Sequence, residues 1–146
     1  MNEDRKTWMA TLAVAGPAAL EAGVAALGAL PGFTWLRRPE VGGVMVPGRM
    51  GGTGAPFNLG EITVTRCALK LESGEVGHAY VQGRDKAHAE RAALMDALMQ
   101  TGRAGDVRRL VLGPLDAARK QARQARAARA AATKVEFFTL VRGEDA

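Results

Sequence analysis

The sequence predicts a single α+β domain, an antiparallel sheet built on a β-hairpin and packed with several helices. Three observations carry that prediction. Residues 61–71 and Val76 to Gln82 are two β-patterned runs joined across Ser73-Gly74, which reads as a hairpin. Helical runs at 4–30, 86–101 and 115–133 surround it, rich in Ala and Leu or in Ala and Arg. The chain has 146 residues, enough for one hydrophobic core, and shows neither an internal repeat nor a linker.

Taken in order, residues 4–15 read as a short helix, and Gly16-Pro17 breaks it and starts another, together an N-terminal helical pair over 4–30. Leu20, Gly23, Val24 and Leu27 fall at i, i+3, i+4 and i+7, one face of the second helix. Pro31-Gly32 stops it. Phe33 to Arg38 and Val41 to Val46 are short β candidates, interrupted by Pro39 and Gly42-Gly43. Gly48 to Gly54 holds four glycines in seven residues and reads as a loop running to Gly60. In the strand at 61–71, Ile62, Val64 and Ala68 point one way, and Thr63, Thr65, Cys67, Leu69 and Leu71 the other. Asp85 is placed to N-cap the helix over 86–101, which Gly102 ends. A short helix is expected at 106–112, stopped by Gly113-Pro114, then a helix over 115–133 and a C-terminal strand at 135–141.

Charge is unevenly placed. There are 20 Lys and Arg against 15 Asp and Glu, a net charge of +5. Residues 103–134 carry nine bases and two acids, so that segment is +7 and the remainder −2. The lone cysteine, Cys67, excludes an internal disulfide, a self-contained iron–sulfur cluster and a Cys-rich zinc site. No run of about 18 apolar residues lacks a charge, so no transmembrane helix is expected. The segment before Ala13-Val14-Ala15 imitates a signal peptide, but Met1 to Lys6 has no positive excess, and a cytoplasmic chain is expected.

Three groups of residues invite chemistry. In the glycine loop, Gly51, Gly52 and Gly54 let backbone N–H groups approach an anion, Arg49 adds charged donors and Thr53 a hydroxyl. The loop lacks the Gly-Lys-Ser/Thr ending of a phosphate-binding P-loop and precedes a strand, so a purely structural or subunit-contacting loop is the alternative. Arg84-Asp85-Lys86 with His88 and Glu90 form the first turns of a helix, where anions are favoured. His88 is a candidate general base or phosphate donor, Glu90 its candidate companion, and a capped helix with an interfacial histidine the alternative. On a helix the two lie about 200° apart, which argues against a shared metal, and no metal site is expected. In the third group, Arg119, Arg123, Arg126 and Ala130 line one face of the basic helix. That leaves a free-standing anion- or nucleic-acid-binding module as an alternative. No aromatic residue interleaves with the arginines to stack on bases, so a solvated or partner-facing helix is the preferred reading.

These motifs resemble one known family. Arg49-Met50-Gly51-Gly52-Thr53-Gly54, Phe57, Gly60, Thr65-Arg66, Gly83-Arg84-Asp85-Lys86, His88-Ala89-Glu90-Arg91, Asp96-Ala97-Leu98 and Gln100 are similar, in this order, to the PhnG subunit of bacterial carbon–phosphorus lyase. Phe137-Phe138-Thr139, Val141-Arg142-Gly143 and the Arg5 to Leu12 stretch with Trp8-Met9 extend the resemblance over nearly the whole chain. The resemblance implies a cytoplasmic subunit of a hetero-oligomer that degrades organophosphonates, acting with PhnI, PhnH and PhnJ, two copies of each. It implies support for converting ATP and an alkylphosphonate to a ribose 1-phosphonate 5-triphosphate with release of adenine. The iron–sulfur cluster and S-adenosylmethionine then belong to the PhnJ partner, and this chain binds no cofactor. No catalytic residue is carried over. Arg49, Gly51, Gly52, Thr53, Gly54, Arg66, Arg84, Asp85 and Lys86 are the substrate or interface candidates, with His88 and Glu90 behind them.

Overall fold

A computed structural model describes residues 3–134. Helices α1 (Glu3–Ala13) and α2 (Pro17–Ala26) meet at 116° across Gly16, where Pro17 lacks the N–H that would continue α1. Leu20, Val24 and Leu27 on α2 are buried, the face expected from their spacing. Among the described residues no single helix is long and apolar enough to cross a membrane.

Three strands follow: β1 (Phe33–Arg49), β2 (Pro56–Leu71) and β3 (Val76–Gln82), in the antiparallel order β1-β2-β3. β1 is one strand of 17 residues where the sequence predicts two short ones. Pro39 does not break it because β1 lies at the sheet edge, where a missing N–H is tolerated. The chain absorbs Pro39 in an irregularity between Arg37 and Glu40, then resumes pairing at Glu40 with Arg66. The glycine loop is correspondingly shorter than expected. Gly48 and Arg49 still pair with Phe57 and Pro56, so only residues 50–55 turn.

The sheet carries helix α3 (Lys86–Leu98) on one face. Thr65, Cys67, Leu69 and Leu71 of β2 are buried on that side. α1 and α2 cover the far side of α3, so every residue from Ala92 to Met99 is buried, Asp96 included. A stretch enclosed on both sides has no solvent stripe, which is why Ala92 to Met99 reads as Ala, Leu and Met apart from Asp96. α3 ends at Leu98 rather than 101, and Thr101 and Arg103 form the turn out of it.

Helix α4 (Ala104–Val107) passes through a π-turn (Arg108–Leu112) into α5 (Gly113–Ala132). Gly113-Pro114 therefore does not stop the helix as expected. In a regular helix the Pro114 ring would collide with the carbonyl four residues back. Here the Gly113 N–H bonds Arg108 O five residues back, and the widened turn admits the ring. The strand expected at 135–141 lies outside the described residues.

Candidate functional site

β3 pairs only with Val64 to Lys70 of β2. Beyond that point Gly43–Arg49 and Pro56–Thr63 pair as strands only with each other, save for one bond from Gly83 to Thr63, and they form a two-stranded ribbon that extends past the end of β3. Such a ribbon is marginal in water alone. It also carries apolar side chains in solvent: Met50 is 75% and Leu59 68% exposed, with Met45 and Phe57 also exposed.

The first candidate group sits at the ribbon tip. Gly51 and Gly52 have φ of 59° and 82°, the left-handed region that glycine enters without a Cβ penalty. This places two glycines in one turn and lets Gly54 N–H bond Met50 O at 2.8 Å. Arg49 Nη1 donates to Gly54 O at 3.0 Å, closing the loop from its side. Gly51, Gly52 and Thr53 remain exposed.

The second group lies at the ribbon root. Gly83 N–H bonds Thr63 O at 2.9 Å, and Thr65 Oγ1 donates to Gly83 O at 2.7 Å, so the chain leaving β3 is pinned to β2. Arg84 and Lys86 are exposed there. Asp85 is the N-cap of α3, its carboxylate accepting from the His88 N–H at 2.9 Å. The His88 ring is buried and turned inward, with Nε2 2.8 Å from Leu12 O. A carbonyl only accepts, so Nε2 holds the proton and is committed to tying α3 to α1. Glu90 is half-buried, and Arg91 pairs with Glu21 at 3.1 Å.

Seven residues of β2 separate the groups, roughly 24 Å at about 3.4 Å per residue. One small ligand does not span both within this chain. Arg66 belongs to neither group. Its Nε donates to Glu40 at 2.7 Å on the sheet face opposite α3. Glu40, then Tyr80, raise its pKa by hydrogen bonding to the guanidinium.

Among the described residues the most connected polar group is Asp96, which is not one of the site candidates. Asp96 is fully buried and accepts from Arg5 Nε at 3.1 Å, Arg5 Nη2 at 2.7 Å, Trp8 Nε1 at 2.9 Å and the His78 N–H at 2.9 Å. Arg5 Nη2 and Gln100 Nε2 both also donate to Val76 O, at 3.0 and 2.8 Å. Arg5, Trp8, Asp96 and Gln100 thus lock α1, α3 and the outer edge of β3 together. The sequence did hold a signal: a lone carboxylate inside the Ala-Leu-Met run from Ala92 to Met99 has to be partnered.

A match to the family described as phosphonate metabolism protein PhnG covers residues 3–143. The chain belongs to the PhnG family. The alpha-D-ribose 1-methylphosphonate 5-triphosphate synthase subunit PhnG of Rhizobium meliloti (strain 1021) is 51% identical over 111 residues, covering 75% of this chain and 70% of that protein. The motifs that resemble the PhnG pattern therefore divide by place. Arg5, Trp8 and Gln100 close around the buried Asp96 and tie the elements of this chain together. The Arg49 to Gly54 and Arg84 to Lys86 stretches lie on its surface.

Cys67 is not poised as a nucleophile. It is buried, its Sγ donates to Ala89 O at 3.2 Å, and burial, with the nearby Glu90 charge, raises its pKa to about 11. The thiol is therefore inert at neutral pH in the native chain. A thiol-disulfide colour reagent at pH 8 is expected to report no free thiol in native protein and one after urea unfolding. The raised value also has a sign for stability. Between the ordinary thiol value and about 11 the unfolded chain loses its proton and the folded one keeps it. Stability from this group is thus full below that window and falls as pH rises through it.

Proposed function

We propose that this chain is a subunit of a ribose 1-methylphosphonate 5-triphosphate synthase that holds no complete catalytic constellation of its own and presents its ribbon to partner subunits. The observation that carries the reading is the ribbon itself. It takes the Arg49–Gly54 loop and the exposed Met45, Phe57 and Leu59 away from the body that would otherwise cover them. Edges and apolar faces of this kind mark contact with another chain.

In this reading the partners are PhnI, PhnH and PhnJ, two copies of each, in the cytoplasm. ATP and an alkylphosphonate are substrates of the assembly. A phosphonate oxygen forms a bond to ribose C1′ as the C1′–N9 bond breaks and adenine leaves with a proton. The 5′-triphosphate is kept. The iron–sulfur cluster and S-adenosylmethionine serve a later step on PhnJ, and this chain binds neither. Arg84, Lys86 and the tip glycines approach the polyanionic substrate or the subunit that holds it.

The test is co-expression with the three partners, followed by mass and adenine-release measurements with methylphosphonate. The chain is expected to co-purify, and adenine release to require the assembly. Robust release by the isolated chain would overturn the reading. Met50→Asp with Leu59→Asp is expected to lower retention in the complex at least tenfold. Both side chains are exposed, so the isolated chain's stability should change by no more than about 0.5 kcal/mol.

A further inference from the structure

The basic segment has a division of labour that composition does not reveal. Arg103 donates from Nη1 to Ala29 O at 2.7 Å and from Nη2 to Leu27 O at 2.9 Å, capping the end of α2. Arg108 lies over the Trp8 ring, 5.8 Å from its centroid, and Arg109 pairs with Asp106 at 2.8 Å. These three belong to the body. On α5 the only acid, Asp116, accepts from Thr11 Oγ1 at 3.0 Å. Arg119, Arg123 and Arg126 have no partner among the described residues.

Only Leu115 of α5 is buried, although the helix has 20 residues. Its first half runs beside the α1–α2 corner and leaves a groove there. One hollow of about 300 Å³ is lined by Val14, Gly16, Ala19, Leu115, Ala118 and Ala122. A second, of about 370 Å³, continues it and is lined by Val14, Ala122 and the three unpaired arginines. Val14 is 62% exposed at the junction.

We propose that this groove docks an amphipathic helix of a partner subunit, its apolar face on Val14, Leu115 and Ala122 and a row of Asp or Glu against Arg119, Arg123 and Arg126. The proposal rests on the subunit reading above. Charge fixes the occupant's sign. A second copy would bring another α5 with its own arginines, and like charges repel. Geometry fixes its form. The groove walls are helices and the short α1–α2 turn at Val14 to Gly16, which hold no strand edge to pair with, whereas a helix satisfies its own N–H groups. The three guanidinium groups span two turns, about 10.5 Å, which matches acids at i, i+4 and i+7 of the incoming helix. An aromatic-free groove gives nucleic-acid bases nothing to stack on.

The experiment uses the full chain co-expressed with its partners. A photo-crosslinking residue at Ala122 is expected to join an acidic helical segment of another subunit, identified by mass spectrometry. The Arg119→Glu, Arg123→Glu, Arg126→Glu triple variant is expected to lose at least tenfold in retention. A triple Gln variant, which only removes charge, should lose less. Both keep good helix formers, and circular dichroism of the isolated variants should match the parent. Wild-type assembly should weaken between 50 and 500 mM NaCl. Crosslinks to residues 135–146 of the same chain, to a second copy or to nucleotide would overturn the docking. So would full retention of the triple Glu variant beside an assembling wild type. Failure of the wild-type chain to assemble would instead overturn the subunit reading, and the docking with it.

Discussion

Asp96→Ala is expected to destabilise the isolated chain by about 3–5 kcal/mol, the range for removing one partner of a buried ion pair. The carboxylate has no exposed surface and four N–H groups converge on it, two from Arg5, one from Trp8 and one from the His78 backbone. Alanine accepts none of them. Arg5 is 24% exposed and can turn partly to water, while Trp8 Nε1 and the His78 N–H lose the acceptor they share with it. Each buried donor left unpaired costs about 1–3 kcal/mol. A domain of this size is stable by about 5–15 kcal/mol, so the loss removes a large share. Urea unfolding followed by circular dichroism measures it. Asp96→Leu with Arg5→Met should recover only part of the loss, because Trp8 Nε1 and the His78 N–H still lack their Asp96 acceptor. Full recovery would show that the ion pair, and not the four-donor cage, carries the stability.

The secondary structure was legible where local chemistry decides it. Ser73-Gly74 sets the β2–β3 hairpin, Asp85 caps α3, and Leu20, Val24 and Leu27 declare the inner face of α2. The errors fall where tertiary position overrides a local rule. Pro39 breaks a central strand but not an edge strand, so the length of β1 depended on its place in the sheet. Pro114 stops a regular helix but not one widened into a π-turn. The candidate site was legible as residue types and not as a place. Glycines with Arg49 announce a loop, and Arg84-Asp85-Lys86 a helix start, yet no local pattern says that a ribbon holds them apart. His88 illustrates the same limit. Its spacing suits a general base, while its ring turns inward to Leu12 O because α1 happens to lie there.

Gly77→Ala is expected to disrupt packing as severely as deleting a large core side chain. A Cβ at Gly77 would fall on the Ala93 carbonyl oxygen and 2.9 Å from the Ala97 Cβ. Both belong to α3, and the carbonyl is backbone, so no rotamer change relieves the collision. β3 and α3 must separate, and three things depend on their closeness. Leu69, Met95 and Leu98 form the core between sheet and helix, all fully buried or nearly so. The His78 N–H reaches Asp96 only while the two elements touch. Gln100 bridges back to Val76 O by the same approach. Added methylenes in a packed core cost about 1–3 kcal/mol when side chains can yield, and here the backbone must. The expected loss is therefore about 3 kcal/mol or more, read as a lower urea midpoint with earlier amide exchange in both β3 and α3. A neutral substitution would mean that the sheet and helix slide past each other freely. Gly42→Ala is the matching control: a Cβ there meets nothing within 4 Å, and the stability of that variant should stay near the parent's.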